Sequence, residues 1–264
     1  MLIIGLLVPL LTILSVIRLE HTELWDRASD DSKEIDDAIR EILSLIREWC
    51  GPEVKKDDTL PFVTLAFAQS SDGILAPYRS GNETASNFPV SGPESLRLTH
   101  ALRSLHDGIL VGRRTVEIDN PRLSNRLWTS DSNQPRPIVL DADLSSIRRG
   151  EMRMSRPIVC CRDGVEDTEG EVDLLVCRID ESGTLDLVDV LRKLKSEYGI
   201  HRVMVEGGPT VLDSFLRRGL VDCLCITVSP KTLKRGASLS VPFSPLPSRR
   251  IYRVGNDVCL LTRQ

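Results

Sequence analysis

The chain has two places where an apolar run ends on glycine and a helix start follows at once. Gly108-Ile109-Leu110-Val111-Gly112 leads into Arg113-Arg114-Thr115. The run from Arg202 to Val205 leads through Glu206 into Gly207-Gly208-Pro209-Thr210. Ile109, Leu110 and Val111 are apolar in succession rather than in alternation, so the strand they predict is covered on both faces. That requirement points to a sheet lying between layers of helices. In such open α/β sheets, ligands bind at the carboxyl ends of the strands. Taken alone, the Gly112 end reads equally well as an ordinary exit to the surface with solvated arginines.

The rest of the pattern agrees with a layered α/β fold. Strands are predicted over 62–68, 138–140, 158–161, 174–179 and 221–228, and a Ser-Ser-Asp-Gly turn stands at 70–73. A helix capped by Ser91 or Gly92 runs to about Leu105, with Pro93 in its first turn. A second covers 185–198 and is closed by Gly199. A third starts at Pro209 and stops at Gly219. Strands alternating with helices give a mostly parallel central sheet flanked by helices. The last strands, near 250–253 and 257–262, have no helix between them and form an antiparallel edge. This main domain spans 61–264; loops are predicted at 77–90 and 129–136.

Residues 1–60 form an N-terminal extension. Residues 1–17 carry no charge, but the run is at the lower limit for spanning a bilayer and Pro9 interrupts it. It reads as a short membrane anchor, a remnant of organelle targeting, or a non-native start. An acidic linker follows over 20–34. Ile35, Ala38, Ile39, Ile42, Leu43, Ile46 and Trp49 then recur at helical spacing, which predicts an amphipathic helix over 34–50 stopped by Gly51-Pro52.

Composition removes several functions. The net charge of -4 and the 4% aromatic content argue against nucleic-acid binding, which favours basic surfaces and stacking platforms. Seven cysteines without a C-x-x-C pair read as buried, reduced thiols rather than a zinc site. His21-Thr22-Glu23 matches half of a zinc deaminase signature, but the P-C-x-x-C half is missing, so no metal is expected.

Neither G-x-G-x-x-G nor G-x-x-x-x-G-K-[ST] occurs, which excludes a standard Rossmann or P-loop site. Two glycine-ended strands feeding helix N-termini in one sheet still suit a ligand with several phosphates, such as a dinucleotide. Arg113 and Arg114 offer two-pronged hydrogen bonds to phosphate and so favour NADPH over NADH. Thr115 and Asp119 are four apart and share a helix face, where the carboxylate can accept from sugar hydroxyls. Pro121 ends that helix early. Arg126 lies just beyond, in reach of a substrate phosphate.

These residues also carry a family resemblance. Thr99-His100-x-Leu102-Arg103-x-x-His106-Asp107-Gly108-Ile109-Leu110-Val111-Gly112 continues into Thr115-Val116-x-x-Asp119-Asn120-Pro121-x-Leu123-x-x-Arg126. Val63-Thr64-Leu65 and Ala68-Gln69-Ser70-x-Asp72-Gly73 precede it; Val205-Glu206-Gly207-Gly208-Pro209 and Gly219-Leu220-Val221-Asp222 follow. Over about residues 61–230 this order and spacing resemble the monofunctional 2,5-diamino-6-ribosylamino-4(3H)-pyrimidinone 5′-phosphate reductases of riboflavin biosynthesis.

The resemblance implies a dihydrofolate-reductase-like fold, a homodimer and use of NADPH or NADH. It implies that Thr115, Asp119 and Glu206 to Thr210 contact the dinucleotide, with Asp72, Asn120 and Arg126 near the substrate. Gly112-Arg113-Arg114-Thr115 is similar to the Gly-Arg-x-Thr of dihydrofolate reductases, whose arginine sits by the cofactor phosphates. The expected reaction is hydride transfer to C1′ of the ribosylamino group, with Glu206 or Asp119 as the candidates for moving the proton. Arg114 replaces a small residue, Ser71 a leucine and Ile74 a common lysine or arginine. A pteridine or folate reductase is a second expectation, although Glu94 in the first helical turn is badly placed to meet a pterin. A non-catalytic nucleotide-binding protein, anchored through residues 1–17, is a third. The reductase reading implies a cytoplasmic location, with membrane or organelle as the alternative.

Overall fold

The computed structural model describes residues 32–51, 59–77, 88–129, 133–147, 151–167, 170–239 and 249–264. The apolar segment 1–17 and the linker up to residue 31 lie outside the described residues, as do parts of the two long loops. Five described helices are α1 (Ser32–Trp49), α2 (Pro93–Leu105), α3 (Arg113–Asp119), α4 (Leu187–Tyr198) and α5 (Pro209–Arg217). The strands are β1 (Phe62–Ser70), β2 (Ala76–Pro77), β3 (Gly108–Gly112), β4 (Arg136–Leu140), β5 (Ile158–Cys161), β6 (Asp173–Val176), β7 (Arg202–Gly207), β8 (Cys223–Ser229), β9 (Gly236–Ala237), β10 (Arg249–Val254) and β11 (Asp257–Arg263).

The main sheet has the order β10-β11-β8-β1-β7-β3-β4-β5-β6, and β2 pairs with β9 in a separate ribbon. Strands β8 through β6 in that order are parallel, while β11 and β10 are antiparallel at one edge. This is the predicted α/β architecture.

The apolar run at 109–111 is buried on both faces, as its pattern requires. Ile109 and Val111 join the core layer formed with α1 and α2, while Leu110 joins the opposite layer with α4 and α5. Helix α1 belongs to the first layer. Its Ile35, Ile39, Ile42, Leu43 and Ile46 share one buried cluster with Leu98 and Leu102 of α2, Phe62 of β1 and Tyr252 of β10. Polar contacts tie it at both sides: Asp36 accepts from Arg97 at 2.6 Å, and Tyr252 Oη donates to Glu41 at 2.9 Å. All seven cysteines are free thiols, six of them buried. Among the described residues no helix is long and apolar enough to cross a membrane.

Strand β1 runs on to Ser70 and β4 starts at Arg136, both beyond the predicted runs, whereas two other strands fall short of theirs at one end. Strand β6 stops at Val176 rather than Ile179, because its partner β5 ends at Cys161, the residue paired with Val176. Strand β8 begins at Cys223 rather than Val221. Asp222 breaks the run: its carboxylate accepts from Val63 N–H at 2.7 Å.

Topology brings the two glycine ends together. Strand β7 comes late in the chain but inserts between β1 and β3. The carboxyl ends of β3 and β7 are therefore neighbours, in a parallel sheet edge where ligands bind.

Candidate active site

The pairing of β3 with β7 runs regularly to Leu110↔Val205 and then slips to Val111↔Gly207. Glu206 is the residue passed over. Such irregularities re-aim side chains and recur beside functional sites. Here Glu206 reaches across to α2, where both of its oxygens accept from Arg103, each at 2.7 Å. The pair is nearly buried, with side chains 10% and 15% exposed. Burial works against the Arg103 charge, but Glu206 outweighs it and holds the arginine above its usual pKa. Arg103 also donates to Ser124 O at 3.0 Å, which ties the loop after α3 to α2.

Gly207 has φ +120°, a conformation that side chains other than glycine rarely adopt. The peptide bond between Gly207 and Gly208 is cis. A β-carbon on Gly208 would lie 3.4 Å from the Thr115 hydroxyl, so the turn into α5 and the first residues of α3 line one narrow cradle. At Gly112 the close approach differs from the one expected. A β-carbon there would meet Cγ2 of Val211 at 2.7 Å, so the intimate neighbour is the first turn of α5 rather than a ligand.

Arg113 is exposed, donates to Ser145 Oγ at 3.1 Å and lies 3.6 Å from Glu117. Arg114 is exposed on the same turn. Both stand at the carboxyl edge, beside the cradle.

Beyond α3 the chain lines a pocket of about 150 Å³ with Arg103, Asp119, Pro121, Arg122, Leu123, Arg126 and Arg153. Four guanidiniums face one carboxylate. Among the described residues Arg122, Arg126 and Arg153 have no carboxylate partner, whereas Arg103 is paired with Glu206. Burial, followed by the charges of Arg103, Arg122 and Arg153, pushes Arg126 below its usual pKa. Like charges held this close repel one another, and an anion in the pocket relieves the repulsion. The Arg126 backbone is itself positioned, since its N–H donates to His100 Nδ1 at 2.8 Å.

Of the residues picked from sequence, Asp119 and Arg126 line the pocket, and Thr115 and Gly208 meet at the cradle beside Pro209 and Thr210. Asp72 and Asn120 use their side chains otherwise. Asp72 accepts from Ser70 Oγ at 2.5 Å, Leu233 N–H at 3.1 Å and Lys234 N–H at 2.7 Å, joining the turn after β1 to the segment after β8. Slight burial raises its pKa, and these hydrogen bonds outweigh it and hold the carboxyl below its usual value. The Asn120 amide is bonded to the backbone of Glu151 and Arg153. Arg103, Arg122, Leu123 and Arg153 were not assigned roles from sequence. The only local signal was the spacing of Arg122 and Arg126; Arg103 and Arg153 arrive through long-range contacts.

A parallel sheet with an antiparallel edge, and a glycine cradle beside a cationic pocket, define a dihydrofolate-reductase-like reductase domain. The model of the RibD C-terminal domain family matches residues 61–260, and the chain belongs to that family. It is an oxidoreductase. It is 37% identical over 203 residues to the 2,5-diamino-6-ribosylamino-4(3H)-pyrimidinone 5′-phosphate reductase of Eremothecium gossypii, covering 70% of this chain and 79% of that protein. The enzyme of the same name from Kluyveromyces marxianus is 34% identical over 207 residues, covering 72% and 80%. Among solved structures, the riboflavin biosynthesis reductase of Saccharomyces cerevisiae superposes with a TM-score of 0.68 at 30% identity, covering 84% of this chain and 98% of that one. The reductase reading displaces the non-catalytic one.

Proposed function

We propose that the chain reduces 2,5-diamino-6-ribosylamino-4(3H)-pyrimidinone 5′-phosphate to its ribitylamino product, with NADPH as reductant, in riboflavin biosynthesis. The observation that carries this reading is the pocket beside the glycine cradle, in which Arg122, Arg126 and Arg153 have no carboxylate partner among the described residues. It suits a phosphorylated substrate next to a dinucleotide. A pterin brings no phosphate, and Glu94 lies against Gly255 of the β10–β11 turn instead of facing the pocket. The names of the relatives give the same substrate.

The cradle at Gly207, Gly208 and Thr115 fits a nicotinamide dinucleotide, because a side chain at either glycine would fill or distort it. Thr115, Asp119 and the Gly207 to Thr210 turn would hold it, with Gly112 closing the cradle floor against Val211. Arg113 and Arg114 supply the exposed cations that favour the 2′-phosphate of NADPH. When bound, the cofactor supplies the hydride. The substrate reacts as its ring-opened imine: C1′ gains hydride, the C1′–N double bond becomes single, and nitrogen gains a proton. Arg126 and Arg122 anchor the phosphate end and so fix where C1′ lies. Glu206 is held as an anion by Arg103, which makes it a positioning group; Asp119, on the pocket wall, is the better placed carboxylate for proton movement. The working assembly is a homodimer, which sedimentation tests.

The deciding assay follows NADPH absorbance with the ribosylamino phosphate, repeated with NADH and with dihydrofolate. Turnover with NADPH and the ribosylamino substrate is expected, and consumption only with dihydrofolate would overturn the reading. Asp119→Asn and Gly207→Ala are each expected to abolish turnover; near-normal rates in both would sink the site assignment.

A further inference from the structure

Arg153 reaches the pocket by a different route from the other arginines. Arg103 projects from α2, and Arg122 and Arg126 follow directly after α3. Arg153 arrives from the segment ahead of β5, and one side chain holds that segment in place. Asn120 Nδ2 donates to Glu151 O at 2.8 Å, and the Arg153 N–H donates to Asn120 Oδ1 at 3.2 Å. Asn120 sits in the left-handed region at φ 38° and ψ 60°, where asparagine is among the best tolerated residues. Its own N–H closes α3 on Val116 O at 3.0 Å. A single amide thus fastens the end of α3 to two backbone groups of residues 151–153.

The result is electrostatically unfavourable without a ligand. Arg153 gains no carboxylate partner among the described residues, yet it is brought close enough to Arg126 to repel it. A segment clamped so as to add a cation to a cationic pocket makes sense where a dianion is to be held. We infer that Arg153 is a ligand for the phosphate monoester of the substrate, and that Asn120 is the positioning residue that sets it there. This rests on the substrate reading above.

The test compares Arg153→Met, Arg153→Lys and Asn120→Ala in the full chain. Steady-state rates are measured with the phosphorylated substrate, with its dephosphorylated analogue and with NADPH varied. A charge-assisted phosphate contact corresponds to roughly 10- to 100-fold in affinity. Arg153→Met is therefore expected to raise KM for the phosphorylated substrate by about that factor, with kcat changed by about twofold or less. KM for NADPH and for the dephosphorylated analogue should not move. Arg153→Lys should recover part of the loss, and Asn120→Ala should raise the same KM by a smaller factor. An unchanged KM, an equal rise with the dephosphorylated analogue, or a rise confined to NADPH would each overturn the inference. Calorimetric titration with inorganic phosphate separates the two proposals. Weaker phosphate binding by Arg153→Met supports the ligand role even if the wild type fails to turn the substrate over, a failure that counts against the functional reading alone. Equal phosphate affinity in the two proteins overturns the ligand role.

Discussion

Gly112 shows how much one residue can announce and how much it withholds. Its place at the end of a buried strand signals that something approaches the backbone closely. The neighbour is Val211, whose Cγ2 would lie 2.7 Å from an added β-carbon, and no local pattern names it. Adding a methyl in a packed site without room costs about 1–3 kcal/mol. Gly112→Ala should lose stability of that order in chemical denaturation, and Gly112→Ala with Val211→Ala should lose less than the sum of the two single changes. Strict additivity would show that the two positions do not press on each other. Arg103 teaches the same lesson. The sequence placed it on a helix, but its partner Glu206 is presented by a register slip between β3 and β7, and a slip of one residue leaves no trace in the apolar pattern. Asp119 and Arg126 were legible because they belong to a short run with its own turn signals. Arg153 was not, since its role depends on a hydrogen bond that its N–H donates to Asn120 across the fold.

Elements whose burial follows one period were legible almost to the residue; those whose limits are set by a partner were not. Helix α4 ends at Gly199 with φ 64°, as predicted, but it starts at Leu187 rather than at 185, because Asp186 caps it and accepts from Val188 N–H at 3.0 Å. Strand β6 ends where β5 ends, which only pairing reveals. Helix α1 was legible as an amphipathic stripe, but not as a part of the central core. Ile39 and Ile46 are fully buried, packed in the same cluster as residues of α2, β1 and β10. Ile39→Ala should therefore cost about 2–5 kcal/mol of global stability, the range for emptying a core site. The check is a two-state denaturation curve in which the loss appears in the single transition of the whole domain. A separate early transition, with the main midpoint unchanged, would mean that α1 is an appendage.

At the scale of the whole molecule, two histidines link the core to pH. His106 is fully buried, with Nδ1 2.7 Å from Leu102 O and Nε2 2.8 Å from Thr64 Oγ1, so the neutral ring donates at Nδ1 and accepts from the threonine. His100 is also buried and accepts from the Arg126 N–H. Burial lowers the pKa of both to about 4, helped at His100 by the charges of Arg103 and Arg126. In the unfolded chain a histidine titrates near 6.5. Between those values the unfolded state binds more protons, so stability rises with pH across this window. The contribution is fully present above about pH 6.5 and is lost as pH falls towards 4. By pH 5 each histidine should have cost about 2 kcal/mol relative to pH 7. The same protonation removes the acceptor that holds the Arg126 backbone, so the pocket loosens in step with the core. Denaturation curves at pH 7, 6 and 5 should show this fall, and His106→Asn, although less stable throughout, should show a shallower slope. An identical slope in the variant would assign the acid sensitivity to the carboxylates instead.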